Sequence, residues 1–172
     1  MKKLVSVCAC MVLLSSSLGF AAEKLADATS KSSTPDAGKQ RPRLLHEHPT
    51  LLRMLTRNNA LRQGRGLRAH RINPALTKAA QDHAVYMAKT GNFSHYSNGG
   101  PEGRAAKWGF RGMVRENIAW GQRDVGDAFH SWQNSGGHWA SIVSNTTEAG
   151  FGYAVGKDGR GYWVALYGNG EN

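Results

Sequence analysis

Histidine is the side chain best suited to proton transfer and metal ligation near neutral pH, and this 172-residue chain has seven of them. His95 lies in GNFSHYSNGG, between an aromatic residue and a run of turn-formers; it is either a site residue or a polar side chain in a loop. His138 follows Gly136-Gly137, with Ser135 just ahead of them. A Ser135–His138 pair invites a nucleophilic reading, but no oxyanion hole or third partner is evident beside it. His83 falls within an apolar stripe and reads as a core histidine hydrogen-bonded to backbone. His46 and His48 could grip a metal jointly, yet at the edge of a polar segment they read as solvated. Other catalytic signatures are absent: there is no Gly-x-Ser-x-Gly elbow, and HEHP at His46 is not the His-Glu-x-x-His zinc helix.

Those residues must be held by something, and the chain divides into three parts. Residues 1–22 have a basic start at Lys2 and Lys3, an apolar run to about Leu18, and small residues at Gly19, Ala21 and Ala22. This is the pattern of a secretory signal peptide, too short to span a membrane, so no transmembrane segment is expected after cleavage. Cys8 and Cys10, the only cysteines, lie inside it, so the exported protein is expected to be disulfide-free and to depend on a packed core. Residues 23–43 carry almost no large apolar side chain and read as a disordered tether. Residues 44–172 remain for one domain.

Losing Lys2 and Lys3 lowers the formal charge from +10 to +8, which still leaves a basic protein suited to anionic surfaces. Much of that charge comes from Arg41, Arg43, Arg53, Arg57, Arg62, Arg65, Arg68 and Arg71, read as a solvated helix surface and loop, with an anion-binding face as the alternative. Nucleic acid is not an expected partner, because no aromatic platforms lie among these arginines and export argues against it.

Within the domain, the spacing predicts a helix from Pro49 or Thr50 to about Gln63, with Leu51, Leu52 and Leu55 on one side. A second helix is capped by Asn73, starts at Pro74 and is closed by Gly91; Leu76, Ala79, Ala80, His83, Ala84 and Met87 form its apolar face. A short third helix is predicted from Pro101 to Trp108, closed by Gly109, and MVRENIA then reads as extended. Asp124 opens a fourth helix that buries Val125, Ala128, Phe129 and Trp132, with Gly136-Gly137 expected to end it. FGYAV and GYWVALYG alternate faces around Lys157-Asp158-Gly159-Arg160, a strong hairpin signal. Helices first and an antiparallel hairpin last imply an α+β domain.

Four blocks in order, NPALTKAAQDHAVYMAKTGNFSH, RENIAWG, FHSWQNSGGHWASIV and AGFGYAVGKDGRGYWVALYG, resemble the CAP superfamily. This is the group named for cysteine-rich secretory proteins, antigen 5 and pathogenesis-related proteins, also called the SCP domain. The likeness runs from about Leu51 to Gly168 and is nearest in character to the bacterial exported type. It implies an α-β-α sandwich with a central antiparallel sheet flanked by helices. It also implies a ligand cleft, lined here by His95, Glu116 and His138, with Ser135 where many eukaryotic members have a second glutamate. Each of the three lies where an element was expected to end, a kind of position that can converge on one cleft. Two imidazoles, His95 and His138, could then hold zinc or another divalent metal weakly, with Glu116 orienting a histidine or accepting a proton.

Three functions follow as expectations. The first is a secreted binding module, lipid or another envelope component being its ligand, with Tyr96, Trp108, Trp120 and Trp139 near the cleft. The second is a metal-assisted hydrolase using His95, Glu116 and His138. The third is a structural or adhesive unit held to an anionic envelope polymer. No oligomeric state follows from the sequence.

Overall fold

The computed structural model describes residues 45–170, so the expected signal peptide and tether lie outside the described residues. After a short 3-10 turn at Leu45–Glu47, the chain forms α1 (Pro49–Gln63), β1 (Arg71–Ile72), α2 (Pro74–Thr90), α3 (Gly100–Lys107) and β2 (Val114–Trp120). It continues through α4 (Val125–Gln133), α5 (Gly136–Ile142), β3 (Glu148–Val155) and β4 (Gly161–Gly168). The sheet order is β1-β3-β4-β2.

β4 is central among the antiparallel strands, and its alternation organises the whole molecule. Trp163, Ala165 and Tyr167 face one helical layer with Leu51 and Met54 of α1, Phe129 and Trp132 of α4, and Ile142 of α5. Tyr162, Val164 and Leu166 face the other layer with Leu76, Ala80, Ala84 and Met87 of α2 and Ala105 of α3. Every residue of β4 is buried, as a strand covered on both faces must be. The result is the expected α-β-α sandwich.

α2 lies against β3 at unusually short range. A Cβ at Gly150 would collide with the backbone of Leu76 and Thr77, and one at Gly152 with that of Ala80 and Gln81. Local signals also act as expected: Asn73 accepts from the N–H groups of Ala75 and Leu76. Gly91 ends α2 at φ 72°, a left-handed conformation that disfavours side chains carrying Cβ.

Five expectations need correction, the first being Leu52, which is 44% exposed while Met54 fills the core beside Leu51. The sheet is mixed, because β1 joins β3 in parallel through the bonds from Arg71 N–H to Thr147 O and Asn73 N–H to Ala149 O. This short strand is the lead-in that delivers the chain to the start of α2. Gly136-Gly137 does not end α4, which stops at Gln133; neither glycine has positive φ, and the pair opens α5. At seven residues that helix is too short to leave a periodic trace.

Arg62 is not solvated but 3% exposed. Its guanidinium donates to the carbonyls of Arg68, Ile142, Ser144 and Thr146, tying the end of α1 to the exposed carbonyl end of α5. Finally, His83 is a fully buried core residue, but neither ring nitrogen makes a hydrogen bond. The Ser94 backbone is near enough to favour the protonated ring without reaching hydrogen-bond geometry.

Candidate functional site

β2 is the edge strand, and its side chains alternate between the two layers. Val114 and Ile118 pack with α2 and α3, placing Glu116 on that side, while Ala119 packs with α1 and α4, placing Asn117 on the other. The segment after Gly91 brings His95 to Glu116 from the layer of α2 and α3: His95 Nδ1 lies 2.9 Å from Glu116 Oε1. On the side of α1, α4 and α5, Asn117 Nδ2 donates to the backbone carbonyl of His138 at 3.0 Å, locating the first turn of α5. The two imidazoles, on chain segments from opposite layers, meet around this edge with ring centroids 6.2 Å apart.

The glutamate is not itself open to the cleft. Its side chain is 1% exposed against 40% for His95, and its second oxygen, Oε2, accepts from Arg104 Nη2. Arg104, on α3, is equally buried and also donates to Ser97 O at 2.6 Å and to His95 O at 3.3 Å. One guanidinium therefore holds the carboxylate and the loop bearing the histidine together. A carboxylate facing Nδ1 favours the tautomer with the proton on that nitrogen, leaving Nε2 of His95 as the free acceptor. His138 is pushed below the ordinary histidine range, first by burial and then by the positive charge that His95 carries whenever it is protonated. It is thus held in the neutral form that a ligating imidazole requires.

Ser135 caps the backbone start of α5, and its hydroxyl makes no capping bond. Of the aromatic residues expected nearby, Tyr96 follows His95 directly and is 87% exposed. Phe93 lies 6.5 Å from Trp120 between ring centroids. Trp108 sits under Lys78 and Lys107, and Trp139, directly after His138, sits under Arg65. Sequence reasoning missed Arg104 and Asn117. An arginine in the short GPEGRAAK helix looks like any surface cation, and only the carboxylate in front of it shows otherwise.

Among the described residues, no three His, Cys, Asp or Glu side chains are grouped to hold one metal ion. No helix among them is long and apolar enough to cross a membrane.

This architecture is shared with known proteins. An outer surface protein from Borrelia burgdorferi superposes with a TM-score of 0.65 at 22% identity, covering 71% of this chain and 93% of that one. An extracellular SCP-domain protein from Bacillus anthracis gives 0.61 at 23% identity, covering 69% of this chain and 39% of the other. At such identities the likeness shows the fold. In sequence, the protein YkwD of Bacillus subtilis is 34% identical over 99 residues, which is 55% of this chain and 38% of YkwD. The chain thus matches well under half the length of that relative. Residues 55–167 match the cysteine-rich secretory protein family, and the chain belongs to this CAP family.

Proposed function

We propose that this chain is an exported CAP-domain binding module whose cleft takes its ligand through the paired imidazoles of His95 and His138, with a divalent ion such as zinc held weakly between them. The approach of the two rings to 6.2 Å carries this reading. A metal bound through a ring nitrogen lies about 3 Å from the ring centroid, so two imidazoles on one tetrahedral ion stand roughly 5 Å apart. From the observed spacing the rings would close by about 1 Å to share the ion. Glu116 would orient His95 from behind rather than ligate. Bound zinc would supply a positive centre for an anionic or carbonyl group of the ligand. With two protein ligands, binding would be weak and would fade as the imidazoles protonate.

Burial of Glu116 favours binding over hydrolysis, since the carboxylate has no direct route to a water in the cleft. Export is supported by the basic-then-apolar pattern of residues 1–22, which is that expected of a signal peptide, and by the extracellular and outer-surface proteins that share the fold. The ligand would be an envelope component, and the exposed Phe93 and Tyr96 offer apolar surface to a lipid.

Competition with a chromophoric chelator, run near neutral pH and at about pH 5, tests the metal site. One equivalent of zinc should bind near neutrality, weaken at the lower pH, and be lost in His95→Ala/His138→Ala. Undiminished binding by that double variant would refute the assignment. A lipid-transfer assay with the same proteins decides whether a lipid is the ligand.

A further inference from the structure

Beyond the histidine cleft, a second hollow of about 490 Å³ opens at the far end of β2, between that strand and α4. Its lining combines an aromatic surface with hydrogen-bonding groups of both kinds: Trp120, Gln122, Asp127, His130, Ser131 and Arg160. From this combination we infer that the hollow is a saccharide-binding site, taking one or two sugar units of a polysaccharide.

Trp120 is 41% exposed although it ends a strand, and the Arg160 guanidinium lies 4.8 Å from its ring centroid. With the exposed Arg160 side chain swung off its face, this indole at the mouth of a polar hollow provides an apolar plane for the C–H face of a sugar ring. The polar groups around it are only partly used. Gln122 Nε2 donates to Ser131 Oγ at 3.3 Å, while Gln122 Oε1 is shielded from water and accepts nothing. Such an unmet acceptor costs free energy that a small turn of the amide toward an arriving hydroxyl would recover. Asp127 Oδ2 accepts from Arg123 Nε at 3.0 Å, and no hydrogen bond reaches Oδ1 from the described residues. The Gln122 backbone is fixed meanwhile, because its carbonyl accepts from Trp163 Nε1 at 3.1 Å.

Charge and polarity decide between ligand classes. Arg160 already has Asp158 at 3.8 Å, and Asp127 is countered by Arg123, so no net field selects a phosphate. A wholly apolar ligand would strip water from Gln122, Ser131 and Asp127 without replacing the hydrogen bonds. A saccharide meets both demands, with hydroxyls that donate and accept and one apolar face.

The test follows the Trp120 indole N–H and, in every variant, the backbone amide of the lining residue Ser131 by NMR in the full chain. The probes are a tetramer of β-1,4-linked N-acetylglucosamine, a tetramer of glucose, and vesicles of phosphatidylglycerol with phosphatidylcholine. At least one tetramer should shift the Trp120 signal at millimolar concentration. Trp120→Ala should weaken that binding by about tenfold or more, as truncating a central aromatic anchor does, and Arg160→Ala, at an exposed turn position, should weaken it without disturbing the fold. Binding of the sugar should survive His95→Ala/His138→Ala, which separates this site from the metal cleft. The inference is overturned if neither tetramer shifts Trp120, if only the vesicles do, or if binding persists in both Trp120→Ala and Arg160→Ala.

Discussion

Acid should destabilise this protein through His70, and the structure gives the size of the effect. His70 is 3% exposed. Its Nδ1 lies 3.0 Å from the amide nitrogen of Asn58, and its Nε2 lies 2.9 Å from Thr146 Oγ1. The Asn58 amide is itself oriented by donating to Asn59 Oδ1. Nδ1 must therefore accept, and a second ring proton would face a donor. Burial chiefly, and the nearby Arg62 charge next, lower the pKa from 6.5 to about 4, against the opposing effect of the Thr146 backbone. The unfolded chain thus takes up a proton at a higher pH than the fold does. The stabilisation is complete above pH 6.5 and is lost as pH falls from there to about 4. At about 1.4 kcal/mol per pH unit, this one residue accounts for about 3 kcal/mol. His83, fully buried and likewise lowered to about 4, should add a similar loss over the same interval. Domains of this size are stable by about 5–15 kcal/mol, so the combined loss approaches unfolding. Urea denaturation between neutral pH and about pH 4 measures it. His70→Gln should reduce the fall in unfolding free energy across that interval by about 3 kcal/mol relative to the parent chain. Equal falls in the two proteins would refute the account, whatever their difference at pH 7.

Other perturbations test the supports of the site. Arg104→Met should cost about 3–5 kcal/mol in urea denaturation, because it leaves the buried Glu116 carboxylate without its cation. Glu116→Gln should keep the fold but weaken zinc binding by about tenfold or more, as removal of the group behind a ligating histidine does; unchanged affinity in the chelator competition would mean that Glu116 does not orient His95. Gly150→Ala should lower the thermal midpoint markedly, since the new methyl meets helix backbone that cannot yield. Gly103→Ala, where a Cβ meets nothing within 4 Å, is the matched control and should be neutral or slightly stabilising.

Local chemistry in the sequence was enough to define several elements. Asn73, Pro74 and Gly91 bound α2, and the Asp158-Gly159 turn joins β3 to β4, with Gly159 at φ 77°. These features depend on residues within one turn of each other, where propensity and capping operate almost independently of the rest of the chain. The four motif blocks also indicated the family, and with it the sandwich.

Tertiary structure alone decided which polar side chains became buried and which came together. Arg62 and Arg104 have the sequence surroundings of surface cations, yet one meets the carbonyls closing α5 and the other meets Glu116. The approach of His95 to His138 required β2 to lie at the sheet edge, where the two helical layers can reach each other. Strand order and layer contact are long-range properties, chosen by how apolar faces cover the sheet, and no window of neighbouring residues encodes them.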